Sequence, residues 1–306
     1  MPAQIDHTAF PDLMDGIVAA ASPSVLLVLR STSKEFQERV DRLLSHAALV
    51  PSQGAHSPVL AVPTNPGRHL PYLVNRVNTL DLMTMPPSDF TVAPFNRLHT
   101  IRRANGGWDA SGIRRSRSIR TVVEFVDIRQ WLDAVPVGMQ RPKVFLFLSL
   151  PIYNLSCVIV HIKYDPTLLT HLLLTQIEFL GLRAASGSNF TIVLWPTPSE
   201  NNAPINRSIG FLRNILRALT DSTRVTNVTV TIVGLESAPK RQRLSSHKID
   251  DYRSRLTNGN AALANAFRLI SLEQWWKELG DEKDTLGVWP QAALPPPPAS
   301  TAETVG

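Results

Sequence analysis

Three threonines recur at a spacing of 21 residues, and each lies in a short β-prone run. They are Thr79 in RVNTLD, Thr100 in RLHTIR and Thr121 in SIRTVV. Valine, isoleucine, leucine and threonine fit a pleated, half-buried surface. A fourth run, KVFLFL at 143–148, falls near the next multiple. The spacing predicts strands that lie side by side, one per unit, although several unrelated buried strands would explain the same runs.

The second half of the chain alternates β-prone runs with longer amphipathic runs. Strands are expected near 157–165 and 190–196, and helices over 166–186 and 206–223. Connections of this kind join parallel strands by right-handed crossovers. The sequence predicts an α/β fold in which residues 71–280 form one domain with a mostly parallel sheet. In chain order, its strands are predicted at 77–82, 98–103, 120–126, 144–149, 157–163, 190–195 and 227–233.

The repeat length resembles that of leucine-rich repeats, in which each unit adds one strand to a curved sheet. No unit carries the full leucine-and-asparagine signature of that family. The resemblance implies a solenoid whose strands pair in chain order. A reversal of strand order inside the sheet would instead indicate a doubly wound fold.

The N-terminal residues 7–46 predict three short helices set close together. Pro11 and Pro23 suit the first helical turn, where a missing N–H costs nothing. The second helix is apolar on almost every side, so it is expected to be buried. Thr32 and Glu35 are spaced as a capping box for the third helix. Three helices of this size are marginal alone and need a partner or an adjoining domain.

Six short motifs follow one another in these helices: Phe-Pro at 10–11, Ile-Val at 17–18, Ser-Pro at 22–23, Leu-Leu at 26–27, Leu-Arg at 29–30 and Ser-Lys-Glu-Phe at 33–36. Their order and spacing resemble an F-box. Phe10 replaces the usual leucine, Thr32 replaces the usual valine, and Ala19–Ala21 are unusually small. These departures would weaken an adaptor interface without abolishing it.

The resemblance implies a substrate-recognition subunit of an SCF-type cullin–RING ubiquitin ligase, which marks proteins for degradation. The F-box would dock on a Skp-family adaptor and its cullin scaffold, and the C-terminal domain would hold a protein substrate. The sequence does not identify that substrate, and a phosphorylated protein is one candidate. The overall pattern is most similar to the F-box families of fungi. The residues assigned to the adaptor contact are Phe10, Pro11, Leu13, Ile17, Val18, Pro23, Leu26, Leu29, Arg30 and Phe36.

The composition points away from catalysis by this chain. A single cysteine, Cys157, excludes an internal disulfide framework, and the eight histidines lack metal-ligand spacing. No phosphate loop or dinucleotide fingerprint is present. We therefore predict no enzyme activity, no catalytic residues, no metal and no cofactor. His161 and Cys157 lie in apolar runs and are expected to be core residues.

The start of the chain shows no basic-then-apolar leader, so a cytoplasmic or nuclear protein is expected. Residues 144–162 are long and apolar enough to suggest a membrane span. Pro151, Asn154 and His161 interrupt that run. Two buried strands joined by a turn are the preferred interpretation, and no membrane contact is predicted.

Six arginines fall within residues 102–120, around a glycine-rich stretch. Arginine forks recognise phosphate or carboxylate, so Trp108, Arg114, Arg115 and Arg117 are candidates for an anion or substrate site. A solvated surface loop would show the same density. The net charge of +6 also suits nucleic acid. A basic nucleic-acid-binding α/β protein is therefore the alternative function, although nucleic acid is the less favoured partner.

The predicted organisation has four parts. Residues 1–50 form the F-box-like helical domain, and 51–70 form a linker rich in proline, serine and glycine. Residues 71–280 form the leucine-rich-repeat-like substrate domain, and 281–306 form a disordered proline-rich tail.

Overall fold

The structure is a computed structural model, and it describes the helices, the strands and their adjoining turns. The residues described are 10–50, 59–62, 65–69, 74–83, 92, 94–104, 118–127, 145–147, 156–164, 178–180, 189–196, 229–234, 247, 250–251, 254, 267–287 and 289.

Three short helices open the described chain: α1 (Pro11–Ala20), α2 (Pro23–Thr32) and α3 (Lys34–Leu44). Proline stands in the first turn of both α1 and α2, as the sequence predicts. The hydroxyl of Ser22 caps α2 by accepting a hydrogen bond from the backbone N–H of Val25. The helices pack on a small core of Val18, Leu26, Val40 and Leu44.

The cap of α3 differs from the capping box predicted at Thr32 and Glu35. Ser33 is the N-cap residue, and its Oγ accepts the N–H of Phe36 at 3.2 Å. Thr32 instead ends α2, and its hydroxyl donates to the carbonyl of Leu29 at 2.7 Å. Threonine and serine compete for the same role here. The helix begins one residue later because Ser33 has the extended backbone that a cap requires.

Twelve strands are described. They are β1 (His46–Val50), β2 (Val59–Val62), β3 (Asn65–His69), β4 (Thr79–Leu82), β5 (Thr100–Ala104), β6 (Thr121–Asp127), β7 (Phe145–Phe147), β8 (Cys157–Tyr164), β9 (Glu178–Leu180), β10 (Asn189–Pro196), β11 (Thr229–Val233) and β12 (Phe267–Ile270). A 3-10 turn precedes β4 at Val74–Arg76, and helix α4 (Leu272–Leu279) follows β12.

Ten of these strands form one sheet in the order β12-β11-β10-β8-β6-β5-β4-β1-β2-β3. Eight of them, β1, β4–β6, β8 and β10–β12, pair in parallel. The prediction of an α/β fold with a mostly parallel sheet is therefore confirmed. From β4 to β12 the strands of this sheet follow chain order.

The 21-residue spacing corresponds to the register of the sheet. Thr79 pairs with Thr100, and Thr100 pairs with Thr121, so the three threonines form one row across β4, β5 and β6. The prediction that the run at 143–148 supplies the next strand of this row is wrong. Cys157 of β8 continues the row, whereas β7 pairs with β9 in a separate two-stranded sheet. β9 lies within residues 166–186, where a helix was predicted, and the helix predicted over 206–223 is outside the described residues.

The segment predicted as a linker at 51–70 contributes strands. β2 pairs antiparallel with β1, and β3 pairs antiparallel with β2 at the edge of the sheet. Proline and glycine suggested an irregular connection, but an edge strand tolerates both because one side of its backbone needs no partner strand. The strand order therefore reverses at β1: β2 and β3 lie on one side of it, and β4, the next strand along the chain, lies on the other. The reversal involves an antiparallel pair, β1 and β2, and not only parallel crossovers.

The end of the chain also departs from the prediction. Residues 281–306 were assigned to a disordered tail, yet residues 280–287 form helical turns after α4. We call residues 280–287 and Trp289 the closing segment. Its Leu286 is buried, and it packs with Trp275 against Val123, Phe125 and Ile159 of the sheet. Apolar side chains at the start of the supposed tail explain the difference, since they have a sheet face to cover.

Candidate functional site

The exposed large hydrophobic side chains of the described residues all lie in the first two helices or at Phe10, the N-cap residue of α1. They are 41–62% exposed, and we call them the apolar surface: Phe10, Leu13, Ile17, Val25, Leu27 and Val28. The other large apolar side chains whose burial the structure describes are buried or half-buried. Exposed apolar side chains grouped in one segment are typical of interaction sites.

Helical geometry explains how α1 presents one part of this surface. Leu13 and Ile17 are four residues apart, and Phe10 precedes Leu13 by three, so the three side chains follow one stripe. Met14 and Val18, on the neighbouring stripe, are buried. On α2, Val25 and Val28 share a stripe, while Leu26 is buried. The expectation that α2 is buried on almost every side is therefore wrong within this chain.

The structure divides the ten residues assigned to the adaptor contact. Phe10, Pro11, Leu13 and Ile17 are exposed. Val18 and Leu26 belong to the core of the helical unit, and Leu29 and Phe36 pack against that core. The side chain of Pro23 is outside the described residues. Sequence patterns alone could not make this division, because apolar residues on both stripes have the same spacing.

Arg30 is the remaining residue assigned to the adaptor contact, and it faces the sheet domain and not the apolar surface. Its Nε and Nη2 donate to the two carboxylate oxygens of Asp41 on α3, at 2.6 and 3.1 Å. Arg76, just before β4, donates to the same carboxylate at 2.9 Å. The guanidinium of Arg30 lowers the pKa of Asp41, and Arg76 acts in the same direction. Asp41 thus joins both helices to the sheet.

The predicted anion site lies outside the described residues, since Trp108, Arg114, Arg115 and Arg117 all fall in 105–117. Three further arginines of that cluster are described: Arg102 and Arg103 are buried within the sheet, and Arg120 is exposed. Nε of Arg102 lies 3.0 Å from Asp81, and Arg103 makes an ion pair with Glu124. These two arginines are therefore not available to bind an anion from solvent.

The buried charges lie in the same register as the threonines. Asp81 pairs with Arg102 across β4 and β5, and Arg103 pairs with Glu124 across β5 and β6. Each partner is 21 residues away. Both ion pairs could have been predicted from the sequence, because their charged residues have the same 21-residue spacing as the threonines. Burial raises the pKa of Glu124, and the guanidinium of Arg103 opposes that effect.

His161 lies at the centre of the covered face and is fully satisfied. Its Nε2 donates to the carbonyl of Leu286 at 2.7 Å, and its Nδ1 accepts from the indole N–H of Trp195 at 2.9 Å. The ring stacks on Phe125 with centroids 4.5 Å apart. Burial lowers the pKa of His161 to about 3. The core role predicted for this histidine is confirmed.

Cys157 was expected in the core, and it lies at the edge of the core cluster. The side chain is partly buried, and burial raises the pKa of the thiol to about 11. A thiol with so high a pKa carries little thiolate at neutral pH, so it is a poor nucleophile. Among the residues that the structure describes, no group of three or more histidine, cysteine or acidic side chains has the geometry of a metal site.

None of the helices in the described part of the chain is both long enough and apolar enough to span a bilayer. Within 144–162, the described residues belong to β7 and β8, in line with the interpretation of this run as strands.

Comparison of the chain with protein-family models, with curated proteins and with solved structures found no match.

Proposed function

We propose that this protein is a substrate-recognition subunit of a cullin–RING ubiquitin ligase and docks on a Skp-family adaptor through the apolar surface. The observation that carries the proposal is the confinement of the exposed large hydrophobic residues, among the residues described, to α1 with its N-cap Phe10 and to α2. The same two helices carry most of the motifs that resemble an F-box. A partner that buries this surface would remove apolar area from water, which is the main favourable term in such association.

The proposed division of labour follows from the architecture. The adaptor contact lies on the N-terminal helices, and the α/β sheet, leucine-rich-repeat-like in its strand order, would hold the substrate. Arg30, Asp41 and Arg76 join the two parts through ion pairs. Such a receptor contributes proximity, since holding two reactants together lowers the entropic cost of their reaction. The chemistry would belong to the ubiquitin-conjugating enzyme.

The proposal predicts that single charges on the apolar surface disrupt adaptor binding. Ile17→Glu and Val28→Glu should each raise the dissociation constant for a purified Skp-family adaptor by at least about tenfold, because a buried unpaired carboxylate is costly. Both side chains are exposed, so the fold should persist. Isothermal titration calorimetry on the full chain measures the affinity, and circular dichroism measures the fold.

Gln37→Glu is the matched control, because Gln37 is exposed on α3 and lies outside the apolar surface. It should bind the adaptor like the wild type. Point variants are preferable to deleting residues 1–46, since the carbonyl of Ser45 accepts backbone N–H groups from Asn78 and Thr79 of the sheet. Absence of adaptor binding by the wild-type chain, or equal binding by all three variants, would contradict the proposal.

A further inference from the structure

A basic pocket lies where the N-terminal helices meet the amino-terminal edge of the sheet. It has a volume of about 340 Å³, and we call it the junction pocket. Arg30 comes from α2, Asp41 from α3, Arg76 from the turn before β4, and Arg97 from the turn before β5. The pocket is lined by Arg30, Asp41, Ser45, Asn75, Arg76, Asn78 and Arg97.

The charges of the junction pocket do not balance. Three guanidinium groups face a single carboxylate, and that carboxylate already accepts from both Arg30 and Arg76. Because these arginines lower the pKa of Asp41, the carboxylate stays ionised near neutral pH. The lining therefore carries a surplus of two positive charges. Within the described chain, no carboxylate contacts Arg97, which is exposed.

The neighbouring pocket on the other side of Asp41 provides a comparison. It is larger, at about 470 Å³, and its charged lining residues are Lys34, Glu38, Asp41 and Arg42. Two positive and two negative groups leave it with no net charge. The surplus in the junction pocket is therefore a local property of that pocket and not of the whole surface.

The residues of the junction pocket are held in place by rigid neighbours. The backbone of Asn78 donates to Ser45, and its carbonyl accepts from both His99 and Thr100. Arg97 is flanked by the buried side chains of Phe95 and Leu98. Asp41 holds the guanidinium plane of Arg30 through two hydrogen bonds and accepts one from Arg76. A site formed in advance loses little entropy when it binds a ligand.

We propose that the junction pocket binds a phosphate monoester. Such a group carries a charge of about −1.5 to −2 at neutral pH, which matches the surplus of the lining. It also accepts several hydrogen bonds, and arginine forks and amide N–H groups donate them. Arg30 donates only two of its five N–H groups to Asp41, and Arg76 donates one. The other N–H groups of these arginines can donate to a phosphate.

A monoester fits this pocket better than a nucleic-acid backbone does. Each backbone diester carries a single charge, and proteins that hold single strands usually stack bases on aromatic rings. Among the described residues that line the junction pocket, none has an aromatic side chain. The site is separate from the apolar surface, so the inference does not depend on adaptor docking.

The test uses the full chain and four probes: inorganic phosphate, free phosphoserine, a pool of phosphoserine peptides, and single-stranded RNA of mixed sequence. Arg97→Glu should weaken phosphoserine binding at least about tenfold. Arg120→Glu is the matched control, because Arg120 is exposed at the same edge of the sheet but lies outside the pocket. It changes the net charge equally and should bind like the wild type.

Asn75→Asp is a second variant that leaves every arginine in place. It adds a negative charge to the lining and should also weaken binding about tenfold or more. Tighter binding of the peptide pool than of free phosphoserine would identify a protein side chain as the source of the phosphate. Equal affinity would identify a small ester, and both results support the site.

Three results would overturn the inference. One is no binding of phosphate or phosphoserine by the wild-type chain at millimolar concentration. Another is an equal loss in Arg97→Glu and Arg120→Glu, which would show a general effect of charge. The last is RNA binding that is tighter than phosphoserine binding and is lost in the pocket variants, which would indicate a nucleic-acid site.

Discussion

At the scale of single residues, the interior of the sheet holds polar groups whose partners come from distant parts of the chain. His161 uses both ring nitrogens, one for Leu286 and one for Trp195. Since the indole can only donate and the carbonyl can only accept, the neutral tautomer with the proton on Nε2 is fixed. Protonation would put a second N–H against the indole donor in a dry site. His161 is therefore a structural group that resists protonation.

This arrangement predicts that stability falls as the solution becomes acidic. The unfolded chain takes up a proton on His161 near its ordinary pKa of 6.5, whereas the folded chain does so only near 3. Between these values the unfolded state binds more protons, so the free energy of unfolding decreases as pH falls, by up to about 1.4 kcal/mol per pH unit. His161→Gln keeps an N–H donor without titrating. Urea unfolding between pH 4 and about 7 should show a flatter dependence for this variant, and equal slopes would contradict the assignment.

At the scale of elements, adjacent strands are joined by buried ion pairs as well as by backbone hydrogen bonds. Arg103 on β5 and Glu124 on β6 are both almost fully buried. Burying two charges costs several kcal/mol each before their mutual attraction offsets it. The pair therefore specifies which strands lie together more than it stabilises the sheet. A strand in the wrong register would leave both charges without a partner.

Two variants separate specificity from stability. Arg103→Met leaves Glu124 buried and alone, and it should lower the free energy of unfolding by about 3–5 kcal/mol. Replacing both residues, as Arg103→Met with Glu124→Leu, should restore stability to within about 1.5 kcal/mol of the wild type. Urea denaturation measures both. If the double variant were as unstable as the single one, the pair would contribute net stability and this account would be wrong.

The sequence predicted those elements whose local pattern agrees with their final environment. β4, β5 and β6 were predicted because β-prone residues and the threonine spacing coincide. β2 and β3 were missed because the proline and glycine of this segment favour irregular structure, and only the place of β3 at the sheet edge makes its Pro66 and Gly67 acceptable in a strand. The junction pocket was also missed. Its residues come from four separate elements, and no spacing along the chain connects Arg30, Arg76 and Arg97.

At the scale of the whole molecule, the closing segment joins the last strands to the middle of the sheet. Thr285 accepts a hydrogen bond from Nη1 of Arg102 at 2.8 Å, and Leu286 accepts from His161. Trp289 lies against Phe125, with centroids 5.1 Å apart. One short stretch thus contacts β5, β6 and β8. The covered face of the sheet depends on it for both apolar cover and hydrogen-bond partners.

Truncation after Glu282 tests this dependence. It removes Thr285, Leu286 and Trp289, and it leaves the buried side chains of Arg102 and His161 without those acceptors. Each buried donor left unsatisfied costs about 1–3 kcal/mol, so the thermal midpoint should fall by several degrees. Truncation after Pro290 keeps every one of these contacts and is the control. Equal midpoints for the two truncated chains, measured by circular dichroism, would show that the segment contributes nothing.

The distance along the chain between Arg102 and its acceptor has a consequence for synthesis on the ribosome. Their hydrogen bond joins positions 183 residues apart. At about 5–20 residues per second, the ribosome needs roughly ten to forty seconds to make that interval. During that time the strands that carry Arg102, Phe125 and His161 have emerged without their cover. The nascent sheet thus exposes an apolar, partly charged face until residues 285–289 have been made, and chaperones have that interval in which to bind it.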